Sequence, residues 1–438
     1  MRTSLTRSLH STSAANADLS DLSDLLWDED DLLKRLCQTL DFAEQAIRQL
    51  AESGSTDDDA TQNMAARPDK VIAETAVLLL AASNVSSYAA IGPRILRVAS
   101  LLVPHARSRR MLRMICLEPA LAFENATAHI CLKRLGFYDA EFDAMLDLSV
   151  AAQASDGRER EPHGMLKQEW LKQSWLYPEG LPRMRSGAAL TNSALHRTAD
   201  LLHGTREDFA CFTKALMYLR DFNLYPRSVS RGREELLAEA EGMLARALDE
   251  QDYELVGELL LAWPLTGQDW SPAAAFAFRV LCRVQCETGW MSLSDGRAVP
   301  CRMAYVMGLL CAAALAPGRR PPAAIPKVAV RTGAFDAVVG CFDPDDRKAR
   351  WQTELGELDH AESESLAGFL LSMVVHREFG KRDFVAMEQL VRVAKALSLE
   401  SGPVVSQAAE MMVRVSQFAD SLGYTAAAPM VAVQEEYA

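Results

Sequence analysis

In the segment after Arg233, Leu236, Ala240, Met243 and Ala247 fall at i, i+4, i+7 and i+11, one apolar stripe along an amphipathic helix. Phe209, Phe212, Leu216 and Leu219 repeat the pattern in the segment before it. "ETAVLLLAA", Glu74 to Ala82, is apolar nearly all round, which marks an interior helix. From Pro68 onward this periodicity recurs with almost no strand-like alternation. The pattern predicts an all-α protein of about sixteen helices in antiparallel pairs, arranged as an α/α toroid or a curved helical solenoid.

The punctuation agrees. Ser271-Pro272 sets a capping hydroxyl before a proline at the first helical position, and Asp343-Pro344 repeats the device. Gly380 reads as a helix stop before "KRDFVAMEQLVRVAKAL". An Asp followed by an aromatic opens a helix at Asp208-Phe209, Asp252-Tyr253 and Asp383-Phe384, a spacing that hints at repeated helix pairs. The expected organisation is a disordered acidic tail over 1–31 and a helix with a polar linker over 32–66. A main helical domain over 67–315 follows, then a Pro-rich connector over 316–327. Helices over 328–422 complete the same domain, and 423–438 is a disordered tail.

Composition narrows the classes. Hydrophobic residues are 49% and charged residues 24% of the 438, enough to bury a large core. A net charge of −13 argues against nucleic acid as a partner, because phosphate binding depends on clustered cations. The one basic run, Arg107, Arg109, Arg110 and Arg113, reads as a solvated helix face. No apolar run approaches the ~20 residues of a membrane span, so no membrane insertion is expected. Nine cysteines without a Cys-x-x-Cys pair suit a reducing cytoplasm better than a disulfide framework. Ten lysines leave 36 of the 46 basic residues as arginine, which suggests a GC-rich bacterial genome.

"LDEQDYELVGELLLAWPLTGQDWSPAAAFAFRVL", followed by "AYVMGLLCAAAL", resembles an uncharacterised family of bacterial all-helical proteins found beside specialised-metabolite genes. The resemblance covers about residues 67 to 400. It implies a histidine where this chain has Lys214 and another near Met303, and the departure at both puts in doubt any chemistry resting on such a pair. "QCETGW" is similar to the Gln-Trp motif of triterpene-cyclase-like α/α toroids, through Gln285, Gly289 and Trp290. That likeness implies a structural clamp at the end of an inner helix.

Candidate chemistry is sparse. "DPDD", Asp343 to Asp346, fits the Asp-x-Asp-Asp acid motif of class II terpene cyclases, but a helix cap with acids in its first turn explains it better. Cys282, Cys286, Cys301 and Cys311 do not have a usual metal spacing, and neither metal nor cofactor is expected. No Gly-x-Ser-x-Gly elbow, phosphate loop or dinucleotide fingerprint occurs. The most unusual mixture is "EREPHGMLKQEWLKQSWLYPEG", where His163 precedes Glu169, Trp170 and Trp175. With Tyr218 and Asp221 from "CFTKALMYLRDF", His163 and Glu169 form the candidate general acid/base set, and His196 and His203 add to the same cleft. Capping and packing are the alternative role for these side chains.

Two functions follow as expectations. One is a helical accessory protein that binds a pathway protein or peptide in bacterial specialised metabolism, which needs an exposed apolar groove. The other is a biosynthetic enzyme acting on a small-molecule intermediate in the central cavity of the toroid, which needs an enclosed polar one.

Overall fold

The computed structural model describes residues 28–52, 68–151, 159–179, 188–224, 231–288, 300–316, 318–342 and 349–422. Among these, helices carry the fold and no strand occurs. In chain order they are α1 (Glu29–Glu52), α2 (Pro68–Ala82), α3 (Gly92–Ala106), α4 (Arg109–Leu117), α5 (Ala122–Asn125), α6 (Thr127–Arg134) and α7 (Ala140–Ala151). Then come α8 (Pro162–Leu176), α9 (Ala188–Thr191), α10 (Arg206–Leu219), α11 (Arg233–Asp249), α12 (Tyr253–Leu260), α13 (Ala262–Thr266) and α14 (Pro272–Thr288). The last are α15 (Pro300–Ala314), α16 (Ala334–Val339), α17 (Arg350–Leu355), α18 (His360–Glu364), α19 (Ala367–Lys381), α20 (Phe384–Ala396) and α21 (Pro403–Ser421). Helices outnumber the expected sixteen because α5, α9, α13 and α16 to α18 are pieces of one or two turns.

The Asp-aromatic signature has a local cause at two of its three sites. Gln251 and Arg382 adopt left-handed backbone at φ 56° and 59°, and the following Asp252 and Asp383 cap α12 and α20 through their carboxylates. Their own amides donate back to Ala247 and Glu378, closing the preceding helix. Asp208 differs: it is the third residue of α10 and exchanges bonds with Thr205 in a capping box. Gly380 does not end its helix. α19 continues to Lys381, because Arg382 takes the left-handed position instead. Ser271 caps α14 as expected, accepting from the Ala274 amide at 3.2 Å.

Helices adjacent in the chain, such as α11/α12 and α19/α20, pack across these turns. α2 and α15, far apart in the chain, run parallel. Thr75 and Leu78 of α2 meet Tyr305 and Gly308 of α15 in the same order along both helices. Gly308 is required by close approach, since a Cβ there would lie 2.5 Å from Thr39 of α1 and 2.8 Å from Leu78. α1 is no appendage to the domain. Leu32, Leu36, Leu40 and Ala43 are fully buried, and Arg35 donates to the Gln285 side chain of α14. Gln285 thus ties two helices together, while Gly289 and Trp290 of the Gln-Trp stretch lie outside the described residues, as do Asp343 to Asp346. Pairs stacked with like helices parallel are compatible with a ring or a curved stack.

Candidate functional site

Two concavities share one pair of helices. α8 starts at Pro162, whose missing N–H costs nothing at the first helical position. α10 starts from the Thr205/Asp208 capping box. The two run parallel in register, with His163 against Cys211 at one end and Trp170 against Tyr218 at the other. His163, Lys167 and Trp170 stand at i, i+4 and i+7 on α8; Cys211, Lys214 and Tyr218 stand at i, i+3 and i+7 on α10. Both spacings select one helix face, so the six side chains form a single seam.

The inner end of the seam opens into a cavity of about 380 Å³ bounded by α2, α4, α5, α6, α8, α10, α12 and α15. Its walls are aromatic and aliphatic: Trp170, Tyr218, Phe222, Tyr305, Met217 and Leu309. The rings of Trp170 and Tyr218 lie 5.4 Å apart, and Phe222 meets Trp170 edge-on at 5.5 Å. Phe222 is delivered by a strained bend, since it and Asp221 both have left-handed backbone, at φ 52° and 48°. Burial of its hydroxyl raises the Tyr218 pKa well above the ordinary tyrosine range.

Charged groups enter this wall as well, at Asp69, Lys70, Glu74, Glu124, Lys167, Lys214, Glu258 and Arg302, and most of them are paired. Arg302 of α15 bridges Glu254 at 2.6 Å and Glu258 at 2.9 Å on α12. Glu124 accepts from Arg160 at 3.0 Å through one oxygen, and its other oxygen is buried without a partner. Lys167 and Lys214 are the exception. Both line the cavity, and neither forms an ion pair or a hydrogen bond among the described residues. Desolvation lowers the Lys167 pKa, Glu124 opposing and Lys214 adding to the shift. Desolvation raises the Glu74 carboxyl above its usual range, with Lys70 and Arg302 opposing. The lysine is shifted down and the carboxyl up within one concave site, the pattern of environments that functional sites impose on titratable groups.

The outer end of the seam lies in a cleft of about 520 Å³ between the start of α8 and residues 194–212. His163 Nδ1 lies 3.1 Å from Cys211 Sγ and 3.4 Å from a Glu161 oxygen. Desolvation lowers the His163 pKa, and Lys214 adds to the shift. His203 lines the same cleft, held by Asp200 at 3.2 Å and edge-on to Phe379.

The four residues singled out from sequence do not meet in one place. Tyr218 lines the inner cavity, and His163 lines the outer cleft. Asp221 sits behind the cavity wall: Arg134 donates to both its oxygens at 2.7 and 2.8 Å, and the Trp170 indole N–H donates at 2.6 Å. Glu169 accepts from Gln173 one turn on and lines neither concavity. The lysines, Glu74, Glu258, Arg302 and Cys211 escaped sequence reasoning. Only the i, i+4, i+7 register of His163, Lys167 and Trp170 carried a signal, and a single helix gives no means of telling a cavity face from a core face.

A family described as a domain of unknown function, DUF6895, matches residues 36–302, more than half of the chain. The chain belongs to that family. No curated protein and no solved structure matches it. The matched residues run from α1 to the first residues of α15 and include α8, α10 and α12 entire.

Proposed function

We propose that this DUF6895 protein binds a small amphipathic anion in the inner cavity, as part of a cytoplasmic, bacterial specialised-metabolite pathway. The observation that carries the reading is the pair of lysines, Lys167 and Lys214, which line the cavity beside Trp170 and Tyr218 and make no ion pair or hydrogen bond among the described residues. A cation in low dielectric without a partner is costly, and an anionic head group between the two lysines would supply the missing interaction. The aromatic wall takes the apolar body of the ligand. Glu74, whose carboxyl desolvation raises above its usual range, lines the same cavity as a candidate acid, which suits an enzyme acting on a small-molecule intermediate.

The experiment is a thermal-shift titration with aryl-acetate carboxylates and their neutral amides. Carboxylates raise the melting temperature in a saturable way and the amides do not. The Lys167→Met/Lys214→Met double variant loses the response while melting no lower than the parent chain. An equal response to the amides, or an intact response in the double variant, sinks the reading.

The accessory role, binding a pathway protein or peptide, draws on a different region. Phe384 and Val385 of α20, and Val413, Val415 and Phe418 of α21, are exposed on two helices that pack together. Phe418→Glu and Val385→Glu would abolish a partner complex there and leave the carboxylate response unchanged.

A further inference from the structure

We propose a zinc site at the outer end of the seam, formed by Glu161, His163 and Cys211. The three donor atoms, a carboxylate oxygen, the imidazole Nδ1 and the thiol Sγ, all lie within 4.8 Å of one another. Tetrahedral zinc with bonds of about 2.0–2.3 Å separates its ligand atoms by roughly 3.3–3.7 Å. The observed 3.1 Å from Sγ to Nδ1 and 3.4 Å from Nδ1 to the carboxylate need shifts of only a few tenths of an ångström. Both contacts converge on the same ring nitrogen. A catalytic thiol triad would place the acid on the opposite nitrogen of the histidine, so a shared central ion explains this convergence better than an orienting carboxylate does.

The donors are also free to take a metal. Glu161 is the residue before the first turn of α8, where a carboxylate ordinarily caps the amides, yet its side chain makes no capping bond. The backbone there is positioned by Pro162, which has no N–H to cap. Cys211 is a free thiol. A sulfur, a nitrogen and an oxygen suit a borderline-soft dication, and two helices in register hold two of them, a rigid base for coordination. Binding replaces the Cys211 S–H bond with a sulfur–metal bond and releases one proton to solvent. Three protein ligands leave the fourth position facing the cleft, the arrangement of zinc sites that bind water or substrate. Sequence spacing hides the site, because Cys211 lies 48 residues from His163 and the chain has no local His/Cys motif there.

The test uses the full chain, stripped with chelator under reducing conditions and titrated with Co²⁺ as the spectroscopic stand-in for Zn²⁺. One equivalent gives a thiolate-to-cobalt charge-transfer band in the near ultraviolet and tetrahedral d–d bands, and Zn²⁺ displaces both. Cys211→Ser loses the charge-transfer band, and His163→Ala loses the tetrahedral bands. Glu161→Gln, at an exposed position that leaves the fold intact, weakens binding at least about tenfold. Far-ultraviolet circular dichroism confirms that each variant is folded. Absence of the bands in the parent chain overturns the site, and so does their persistence in folded Cys211→Ser. Carboxylate binding in the inner cavity is measured separately, so failure of either site leaves the other standing.

Discussion

Asp221 and Lys167 are separated by one indole ring. Asp221 lies behind Trp170 with both oxygens accepting from Arg134 and one also from the indole N–H, while Lys167 lies on the cavity side, one turn before Trp170 on α8, with no ionic partner. Sequence reasoning chose the aspartate, an acid within an aromatic stretch. The structure uses that acid fully in holding α6, α8 and the bend after α10 together. The lysine, unremarkable in sequence, keeps its bonding capacity unspent. Functional candidates are distinguished by unsatisfied capacity in a concave place, and residue type alone does not report it.

Substitutions sharpen the contrast, since the two sides should respond with opposite sign. Asp221→Asn leaves the buried Arg134 guanidinium facing a neutral amide and should cost about 3–5 kcal/mol in chemical denaturation. A loss under 1 kcal/mol would break the comparison. Arg302→Met leaves the largely buried Glu258 without its ion pair, while Glu254 keeps Arg206 at 3.2 Å, and should cost roughly 1–3 kcal/mol. Lys167→Met should reverse the sign, stabilising the fold by up to about 1 kcal/mol while abolishing the carboxylate response. Its pH dependence gives a second check. The native pKa of Lys167 is below its ordinary 10.5, so between those values the unfolded chain holds a proton that the native chain has released. Stability therefore rises with pH across that window and is lower by a constant amount below it; Lys167→Met should flatten the rise in urea midpoints measured at stepped alkaline pH. Glu169→Ala removes one bond to Gln173 on a helix surface and should shift stability by less than about 0.5 kcal/mol, with ligand binding unchanged.

Much of the fold was legible because helical periodicity and caps are local signals. Ser271-Pro272, Asp252 and Asp383 each start a helix through atoms no more than three residues away. The Gly380 stop moved to Arg382, a reminder that left-handed backbone is set by the turn and the next cap as well as by glycine. Sequence reasoning set α1 apart from the main domain for a different reason. Its apolar stripe was visible, but its partners lie in α14 and α15, and no local pattern names a partner 250 residues away. The site shows the same limit. His163 and Tyr218 both line concave walls, but the register between α8 and α10 places them in two different concavities. Lys167 carried no signal of its own and Lys214 was marked only as a departure from a family histidine; two helices bring both to the same space.

The tie from Arg35 to Gln285 also bears on how the chain is made. α2 and α3, made soon after α1, pack against it, but Gln285 of α14 and Gly308 of α15 follow by roughly 250 residues, so a ribosome adding about 5–20 residues per second leaves that side of α1 uncovered for ~10–50 s. In that interval the side of α1 that meets α14 and α15 lacks its native cover and is open to chaperone capture or to association between nascent chains. Completion of α15 brings the covering surface, and α2 stands beside both α1 and α15. Closure of α1 onto α14 and α15 is thus a late, non-local step, of the kind that slows folding and sets the yield of folded protein.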